Sequence, residues 1–144
     1  MKTSNYHNEL LSYFENQNVY FEQVEPTPTA FGGKSILFKG KTSFNLFTIS
    51  NQKEVDNKKI RKILGSSKLR FATKEELWDV AQVVSGALPP FTRPFIDIDH
   101  YLDESLLINE FIVFNLARLD FRVKLKMNDY LSMVNPIICD FSKI

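Results

Sequence analysis

Two short apolar segments in the first third of the chain are separated by a turn sequence. Residues 35–38 and 44–49 are of strand length and rich in Ile, Leu and Phe, and Lys39-Gly40-Lys41 lies between them. Apolar segments joined by a short turn that contains glycine are typical of a β-hairpin. We therefore predict that antiparallel sheet forms here.

Other segments have the spacing of apolar residues that is typical of helices. The candidate N-terminal caps are Ser4 or Asn5, Asp56, Thr73 and Asn128. Gly65 stands where the second helix would end, because glycine readily adopts the left-handed conformation of a C-terminal cap. Glu76 follows Thr73 at the spacing of a capping box.

Further short apolar segments are predicted as strands, around residues 19–24, 69–71, 95–98, 108–114, 121–125 and 137–139. Many short strands with three to four helices among them indicate an α+β fold, with a curled, mostly antiparallel, barrel-like mixed sheet and flanking helices. The length of 144 residues fits one domain, residues 1–144.

Charge is unevenly distributed, although the net charge is only +1. Residues 34–70 contain ten Lys or Arg and two acidic residues, a local net charge of +8, whereas residues 1–33 have a net charge of −3. A basic central third could steer a polyanion such as nucleic acid onto one face. It could equally be a solvated helix face balanced by acidic neighbours.

Common catalytic motifs are absent: the sequence contains no GxSxG, P-loop, HExxH or GxGxxG pattern. A single cysteine cannot form an internal disulfide, and the polar first residues do not resemble a secretory signal. No apolar segment is long enough to cross a bilayer. We predict a cytoplasmic protein that does not associate with membranes.

No metal or other cofactor is predicted. Cys139, His7 and His100 lack the spacing of a zinc site, and Cys139 is interpreted as a small hydrophobic residue of a terminal strand. Asp97, Asp99 and Asp103 could hold a hard cation, but the glycine turn and terminal Glu of a calcium loop are missing. We favour a solvated acidic loop that also contains His100.

Two features suggest a functional site. Residues 85–91 combine Gly86 with the pair Pro89-Pro90 between a helix and a strand, so backbone N–H groups could be held there in fixed geometry around an oxyanion. A rigid connection is the simpler interpretation of the same residues. Lys34 follows Gly32-Gly33 at the mouth of an apolar strand, where it could reach a phosphate or a carbonyl, or could be an ordinary surface lysine.

Several segments, in order along nearly the whole chain, resemble one family. They are Lys34-Ser35-Ile36-Leu37-Phe38, the helix, strand and helix between Val55 and Leu77, residues 85–91, and Leu102-Asp103-Glu104-Ser105-Leu106-Leu107. The ordered series is similar to the YbaK/prolyl-tRNA synthetase-associated domain family of aminoacyl-tRNA editing domains.

The resemblance implies a metal-independent aminoacyl-tRNA deacylase of the editing-domain fold. Such a hydrolase cleaves the ester that joins a small, wrong amino acid to the 3′ end of a tRNA, often a proline tRNA, and so acts as the second sieve of editing. The terminal 2′-hydroxyl of the tRNA would help to activate water. The implied partners are the aminoacyl end of tRNA and an aminoacyl-tRNA synthetase, and nothing demands more than a monomer.

Carried over position by position, the resemblance assigns catalytic roles to three residues. Lys34 would contact the terminal phosphate or the ester carbonyl, and Gly86 and Ala87 would supply backbone donors. The substrate pocket would include Leu88, Pro89, Asp103 and Asn115. The basic helix would guide tRNA through Lys58, Lys59, Arg61 and Lys62.

The chain also departs from the family. Residues 27–34 lack the helix that many members place before the lysine strand, Thr92 follows Phe91 where many have Gly, and Asn115 replaces the His of the alanine-specific branch. Asn can donate and accept hydrogen bonds but cannot act as a base near neutral pH. A non-catalytic tRNA- or synthetase-binding module is therefore the main alternative, and a hydrolase or binder for a small aminoacyl or nucleotide-like ligand is a third.

Overall fold

The computed structural model describes residues 5–144, and Ser4 lies outside them. The α-helices are α1 (Tyr6–Asn16), α2 (Asn57–Leu64), α3 (Lys74–Ala81) and α4 (Met127–Val134), and a 3₁₀ helix covers Glu104–Ile108. These four α-helices confirm the upper end of the predicted number.

Local capping interactions explain where three of the helices begin and where α2 ends. Asn5 caps α1, and Asp56 caps α2 by accepting hydrogen bonds from the backbone N–H groups of its first turn. Gly65 ends α2 in the left-handed conformation, with φ of 62°. Thr73 and Glu76 form both bonds of the predicted capping box on α3. The predicted last helix is confirmed as α4, which ends at Val134 as expected, but the predicted cap is wrong, because β7 leads directly into the helix and Asn128 lies inside it.

The strands form two sheets. They are β1 (Glu22–Val24), β2 (Gly33–Lys39), β3 (Phe44–Ser50), β4 (Arg70–Phe71), β5 (Asp99–Asp103), β6 (Phe111–Asn115), β7 (Arg122–Lys126) and β8 (Ile137–Cys139). One sheet has the order β4-β2-β3-β5-β8 and the other β1-β7-β6. The predicted hairpin is confirmed as β2 and β3.

The pairing is mostly antiparallel, as predicted, but the expected barrel-like closure is wrong. Among the strands that the structure describes, the β3–β5 and β5–β8 pairs are parallel and the other pairs are antiparallel. Among the described residues, the edge strands β4 and β8 do not pair with each other, so the larger sheet stays open. An isolated bridge between Gly32 and Val113 links the two sheets. We call this junction the seam.

The apolar side chains form two cores. The alternation of side chains along β2 directs Leu37 into the larger core and Phe38 into the smaller one. The larger core joins α1, α3 and α4 to both sheets and to residues 87–91. The smaller core lies under α2, whose fully buried Ile60 contacts it. None of the described helices has the length and apolarity needed to span a bilayer.

The sequence interpretation of residues 95–103 is wrong. The sequence predicts a strand at 95–98 and a solvated acidic loop around His100, yet the strand β5 begins at Asp99 and buries His100 and Asp103. The polar sequence does not predict this strand, because His100 and Asp103 can be buried only through hydrogen bonds to distant segments. Asp97 and Asp99 both form ion pairs with Arg93. The Asp103 carboxylate instead accepts a hydrogen bond from the Phe141 N–H in the interior.

Candidate active site

A small cavity of about 180 Å³ lies beside the seam. Residues from both sheets and from the glycine–proline loop line it: Gly33, Lys34, Ser35, Asn51, Gly86, Leu88, Phe114, Asn115 and Arg122. The cavity therefore brings together four residues assigned to the site from the sequence, Lys34, Gly86, Leu88 and Asn115, although they are up to 81 positions apart.

Three hydrogen bonds hold the glycine–proline loop in place. Asn115 Nδ2 donates to the Gly86 carbonyl at 2.8 Å. The Tyr130 hydroxyl donates to the Pro90 carbonyl at 2.8 Å and the Tyr6 hydroxyl to the Phe91 carbonyl at 2.9 Å. Burial raises the pKa of both tyrosines, so both phenols stay protonated as donors. The loop is thus fixed from α1, α4 and β6.

The backbone of Gly86 requires glycine. Its φ is +89°, in the left-handed region, and a Cβ placed there would lie 3.3 Å from Leu119 Cδ2. Among the described residues, no acceptor takes the Gly86 N–H. This N–H is therefore not engaged within the described part of the chain, at a residue that lines the cavity.

The remaining predicted site residues do not line the cavity. The Ala87 N–H donates to the Val84 carbonyl at 3.1 Å, so it is not a free donor for an oxyanion. Pro89 is a buried residue of the loop and does not line the cavity. Asp103 is fully buried and caps the 3₁₀ helix, accepting hydrogen bonds from Ser105 and from the Phe141 N–H. Its carboxylate satisfies donors of the interior rather than lining the cavity, and a role for Asp103 in the substrate pocket stays a prediction.

The cavity has positive electrostatic character. Lys34 and Arg122 line it, and no carboxylate does. Arg122 Nη1 donates to the Thr27 carbonyl at 2.7 Å, which holds the guanidinium in place. Within residues 5–144, no carboxylate forms an ion pair with Lys34. Two cations without a nearby counter-charge favour an anionic group such as phosphate, or an oxygen that gains negative charge.

Comparison with known proteins identifies the family. The profile of the aminoacyl-tRNA editing domain matches residues 21–133. The chain belongs to this family. No curated protein matches the editing domain in a sequence search.

Solved structures share its fold at low sequence identity. A candidate trans-editing enzyme for prolyl-tRNA synthetase superposes with a TM-score of 0.82 at 18% identity, over 99% of this chain and 100% of the other. A hypothetical protein gives a TM-score of 0.80 at 13% identity, over 94% and 99% of the two chains. A scaffold protein for computationally grafted linear epitopes gives 0.82 at 16%, over 98% and 99%. At these identities the likeness concerns the fold alone.

The editing domain has cavity residues that the sequence did not single out. Ser35, Asn51, Phe114 and Arg122 were missed, although Ser35 and Phe114 adjoin assigned residues. Ser35 Oγ lies 2.9 Å from Thr48 Oγ1, which lies 2.8 Å from His100 Nε2. Burial lowers the pKa of His100 to about 3, so its imidazole is neutral near neutral pH. Strand alternation could have indicated Ser35, because it shares a face with Leu37.

The basic helix of the editing domain lies apart from the cavity. No residue of α2 lines it. Lys59 forms an ion pair with Asp140 at 3.0 Å and donates to the Ser142 carbonyl at 2.8 Å. Lys59 thus ties α2 to the C-terminal segment, whereas Lys58 and Lys62 are exposed and Arg61 is half-buried.

Other candidate chemistry in the editing domain is weak. Residues 5–144 contain no group of three or more His, Cys, Asp or Glu placed to hold a metal ion. Cys139 is half-buried, and burial raises the pKa of its thiol to about 11, which disfavours the thiolate needed for nucleophilic attack.

We predict that Gly86→Ala will damage both stability and the site. The left-handed backbone costs a residue with a Cβ about 1–2 kcal/mol, and the loop must move away from Leu119. Displacing a donor from the cavity should lower kcat for aminoacyl-tRNA hydrolysis by on the order of tenfold or more. Urea unfolding and single-turnover deacylation measure the two effects.

Gly65→Ala is the matched control for Gly86→Ala. Gly65 has φ of +62° and open space around it, far along the chain from the cavity. It should show the same backbone penalty with unchanged hydrolysis. Equal loss of activity in both variants would mean that strain alone, rather than the position of Gly86 at the cavity, explains the effect.

Proposed function

We propose that this editing domain is an aminoacyl-tRNA deacylase, which hydrolyses the ester of a small amino acid mischarged on tRNA, with proline tRNA as the first candidate. One observation carries the proposal: Lys34, Gly86, Leu88 and Asn115 share a small cation-lined cavity that contains no carboxylate. The likeness in fold to a candidate trans-editing enzyme for prolyl-tRNA synthetase supports the choice of tRNA and of a synthetase as partner.

The size of the cavity supports a small substrate. Its volume of about 180 Å³ is below the range of about 300–1,000 Å³ found for pockets that bury drug-sized ligands. The side chains of Leu88 and Phe114 limit it on the apolar side. A small aminoacyl group fits such a space, and a large one is excluded by contact, as the second sieve of editing requires.

The proposed reaction needs a positioned water and stabilisation of negative charge. Water attacks the ester carbonyl carbon, the carbonyl oxygen becomes an oxyanion, and the bond to the 3′ oxygen then breaks. The terminal 2′-hydroxyl of the tRNA relays the proton of the water to the departing 3′ oxygen. Lys34 and the Gly86 N–H stabilise the charge, and this scheme needs neither a metal nor a covalent intermediate.

A deacylation panel tests the proposal. Alanyl-, cysteinyl-, seryl- and threonyl-tRNA, each prepared on proline tRNA and on its own tRNA, are incubated with micromolar protein. We expect release of at least one small amino acid well above the rate without protein. If none of the tRNAs is hydrolysed, the catalytic proposal is wrong.

One observation favours a non-catalytic binding module as the second candidate. Asn115 stands at the cavity where the alanine-specific branch has His, and Asn cannot act as a base near neutral pH. Filter binding separates the two functions. Tight, salt-sensitive binding of tRNA without turnover supports the binding module.

We predict that Lys58→Gln combined with Lys62→Gln will weaken tRNA binding if α2 guides the tRNA. Both lysines are exposed on α2. Each lost phosphate contact should reduce the slope of log K against log salt concentration by about 0.7–0.9. Filter binding between low and moderate salt measures the slope.

Lys59→Gln is the control within the same helix. Lys59 is occupied by Asp140 and Ser142, so its loss should affect the C-terminal segment rather than tRNA affinity. An unchanged slope in the Lys58/Lys62 variant would mean that the basic charge of α2 is an ordinary solvated helix face.

A further inference from the structure

We propose that the Ser35 hydroxyl donates a hydrogen bond to the ester carbonyl oxygen of the substrate, and that His100 positions it through Thr48. The inference rests on the proposed deacylase function and deepens it. Ser35 would touch the reacting group, whereas Thr48 and His100 would act only through Ser35.

A continuous line of hydrogen bonds leads from the interior to the cavity. His100 Nε2 lies 2.8 Å from Thr48 Oγ1, and Thr48 Oγ1 lies 2.9 Å from Ser35 Oγ. Thr48 is fully buried and His100 is 4% exposed. Ser35 lies directly opposite Thr48 in the β2–β3 ladder and lines the cavity beside Lys34. The line therefore ends at the place where a substrate would bind.

The direction of these bonds follows from the unpartnered ring nitrogen of His100. His100 Nδ1 is buried and has no hydrogen-bond partner among the described residues. A buried N–H without an acceptor is rarer in proteins than an under-satisfied acceptor. The single proton of the neutral ring is therefore assigned to Nε2, which leaves the lone pair on Nδ1.

With the proton on Nε2, each hydroxyl must donate onward. His100 Nε2–H donates to Thr48 Oγ1, and Thr48 donates to Ser35 Oγ. The acceptor site of Ser35 on the Thr48 side is then occupied, so the Ser35 proton is directed away from Thr48 and is free for a group in the cavity. No proton is transferred along this line, which only orients donors.

The Ser35 hydroxyl would supply the hydrogen-bond donor that the Ala87 N–H cannot supply. The Ala87 N–H is engaged by Val84, so in this arrangement the Ser35 hydroxyl and the Gly86 N–H are two neutral donors without an acceptor among the described residues, at residues that line the cavity. An oxyanion formed when water adds to the ester carbon would accept both bonds, with Lys34 nearby. Preorganised donors of this kind stabilise the transition state more than the ground state.

Deacylation kinetics of Ser35→Ala, Thr48→Val and Thr48→Ser test the proposal. Loss of one oxyanion donor typically costs about 10²–10³ in kcat, which we expect for Ser35→Ala. Thr48→Val should lower kcat by about tenfold to 10²-fold with little change in KM, because the hydroxyl of Ser35 loses its orientation. Thr48→Ser keeps the line and should retain activity. Wild-type kcat in a folded Thr48→Val protein would overturn the proposal.

A second measurement does not depend on activity. The chain has two histidines, and the ring ¹⁵N signals that shift in Thr48→Val belong to His100. We expect the Nε2–H tautomer, and the Nδ1–H tautomer would reverse the line and overturn the proposal. If the wild type hydrolyses no aminoacyl-tRNA, the deacylase proposal fails while this measurement still decides the direction of the bonds.

Discussion

Lys34→Ala is expected to lower kcat/KM for deacylation by about 10²–10³-fold, the usual consequence of removing a charge-stabilising group. Lys34 lines the cavity and forms no ion pair with a carboxylate of the described residues, so under the proposed function its charge would be available to the substrate. The fold should survive, with the free energy of unfolding within about 0.5 kcal/mol of the wild type, because no ion pair is broken. Single-turnover hydrolysis and urea unfolding measure the two quantities.

Lys39→Ala is the matched control for this result. Lys39 is also half-buried and lies at the other end of β2, about 17 Å away at the usual rise of a strand. Its ammonium lies over the ring of Phe44 and not at the cavity. The control should retain hydrolysis. Activity of Lys34→Ala within twofold of the wild type would remove Lys34 from the catalytic site.

Asp103→Ala is expected to lower the free energy of unfolding by about 3 kcal/mol. The carboxylate accepts hydrogen bonds from the Phe141 N–H at 2.8 Å and from the Ser105 N–H at 3.2 Å. A buried donor left without an acceptor costs about 1–3 kcal/mol, and Asp103 satisfies several donors. Urea unfolding monitored by circular dichroism gives the change, and the amino-acid preference of the folded fraction should stay that of the wild type.

Asp97→Ala is the control for a carboxylate of the same type. The Asp97 side chain is 91% exposed and pairs only with Arg93. Exposed ion pairs contribute about 0–1 kcal/mol, so this variant should be nearly as stable as the wild type. A stable Asp103→Ala protein with altered amino-acid preference would return Asp103 to the substrate pocket.

Local signals explain which parts of the fold were predictable. The β2–β3 hairpin, the Asp56 and Gly65 caps of α2 and the capping box of α3 depend on residues within a few positions of one another. Their side chains satisfy backbone groups of the same segment, so the sequence there contains the whole interaction.

The errors concern residues whose partners are distant in sequence. His100 and Asp103 are polar, yet both are buried because Thr48 and Phe141 satisfy them across 52 and 38 positions. Closure of the larger sheet likewise depends on whether its two edge strands, β4 and β8, pair with each other. Neither property can be read from a window of neighbouring residues.

The candidate site shows the same division. The family resemblance drew attention to Lys34, Gly86, Leu88 and Asn115, which meet at the cavity. Asn51 and Arg122 belong to other segments that reach it only through the meeting of the two sheets. The bond of the Ala87 N–H to the Val84 carbonyl could not be predicted, because it depends on the exact course of the loop.

The position of the cavity beside the seam has a consequence for how editing domains can diverge. One wall comes from β2, another from β6 and β7, and Gly33 packs against Ile112 where the sheets meet, with an added Cβ only 3.4 Å from Ile112 Cδ1. Under the proposed function, the width of the cavity available to the amino acid would therefore be set by the spacing between two separate sheets. Substitutions of residues that pack between the two sheets, outside the cavity lining, are therefore expected to change the width of the cavity and with it the amino-acid preference, while the lining residues stay the same.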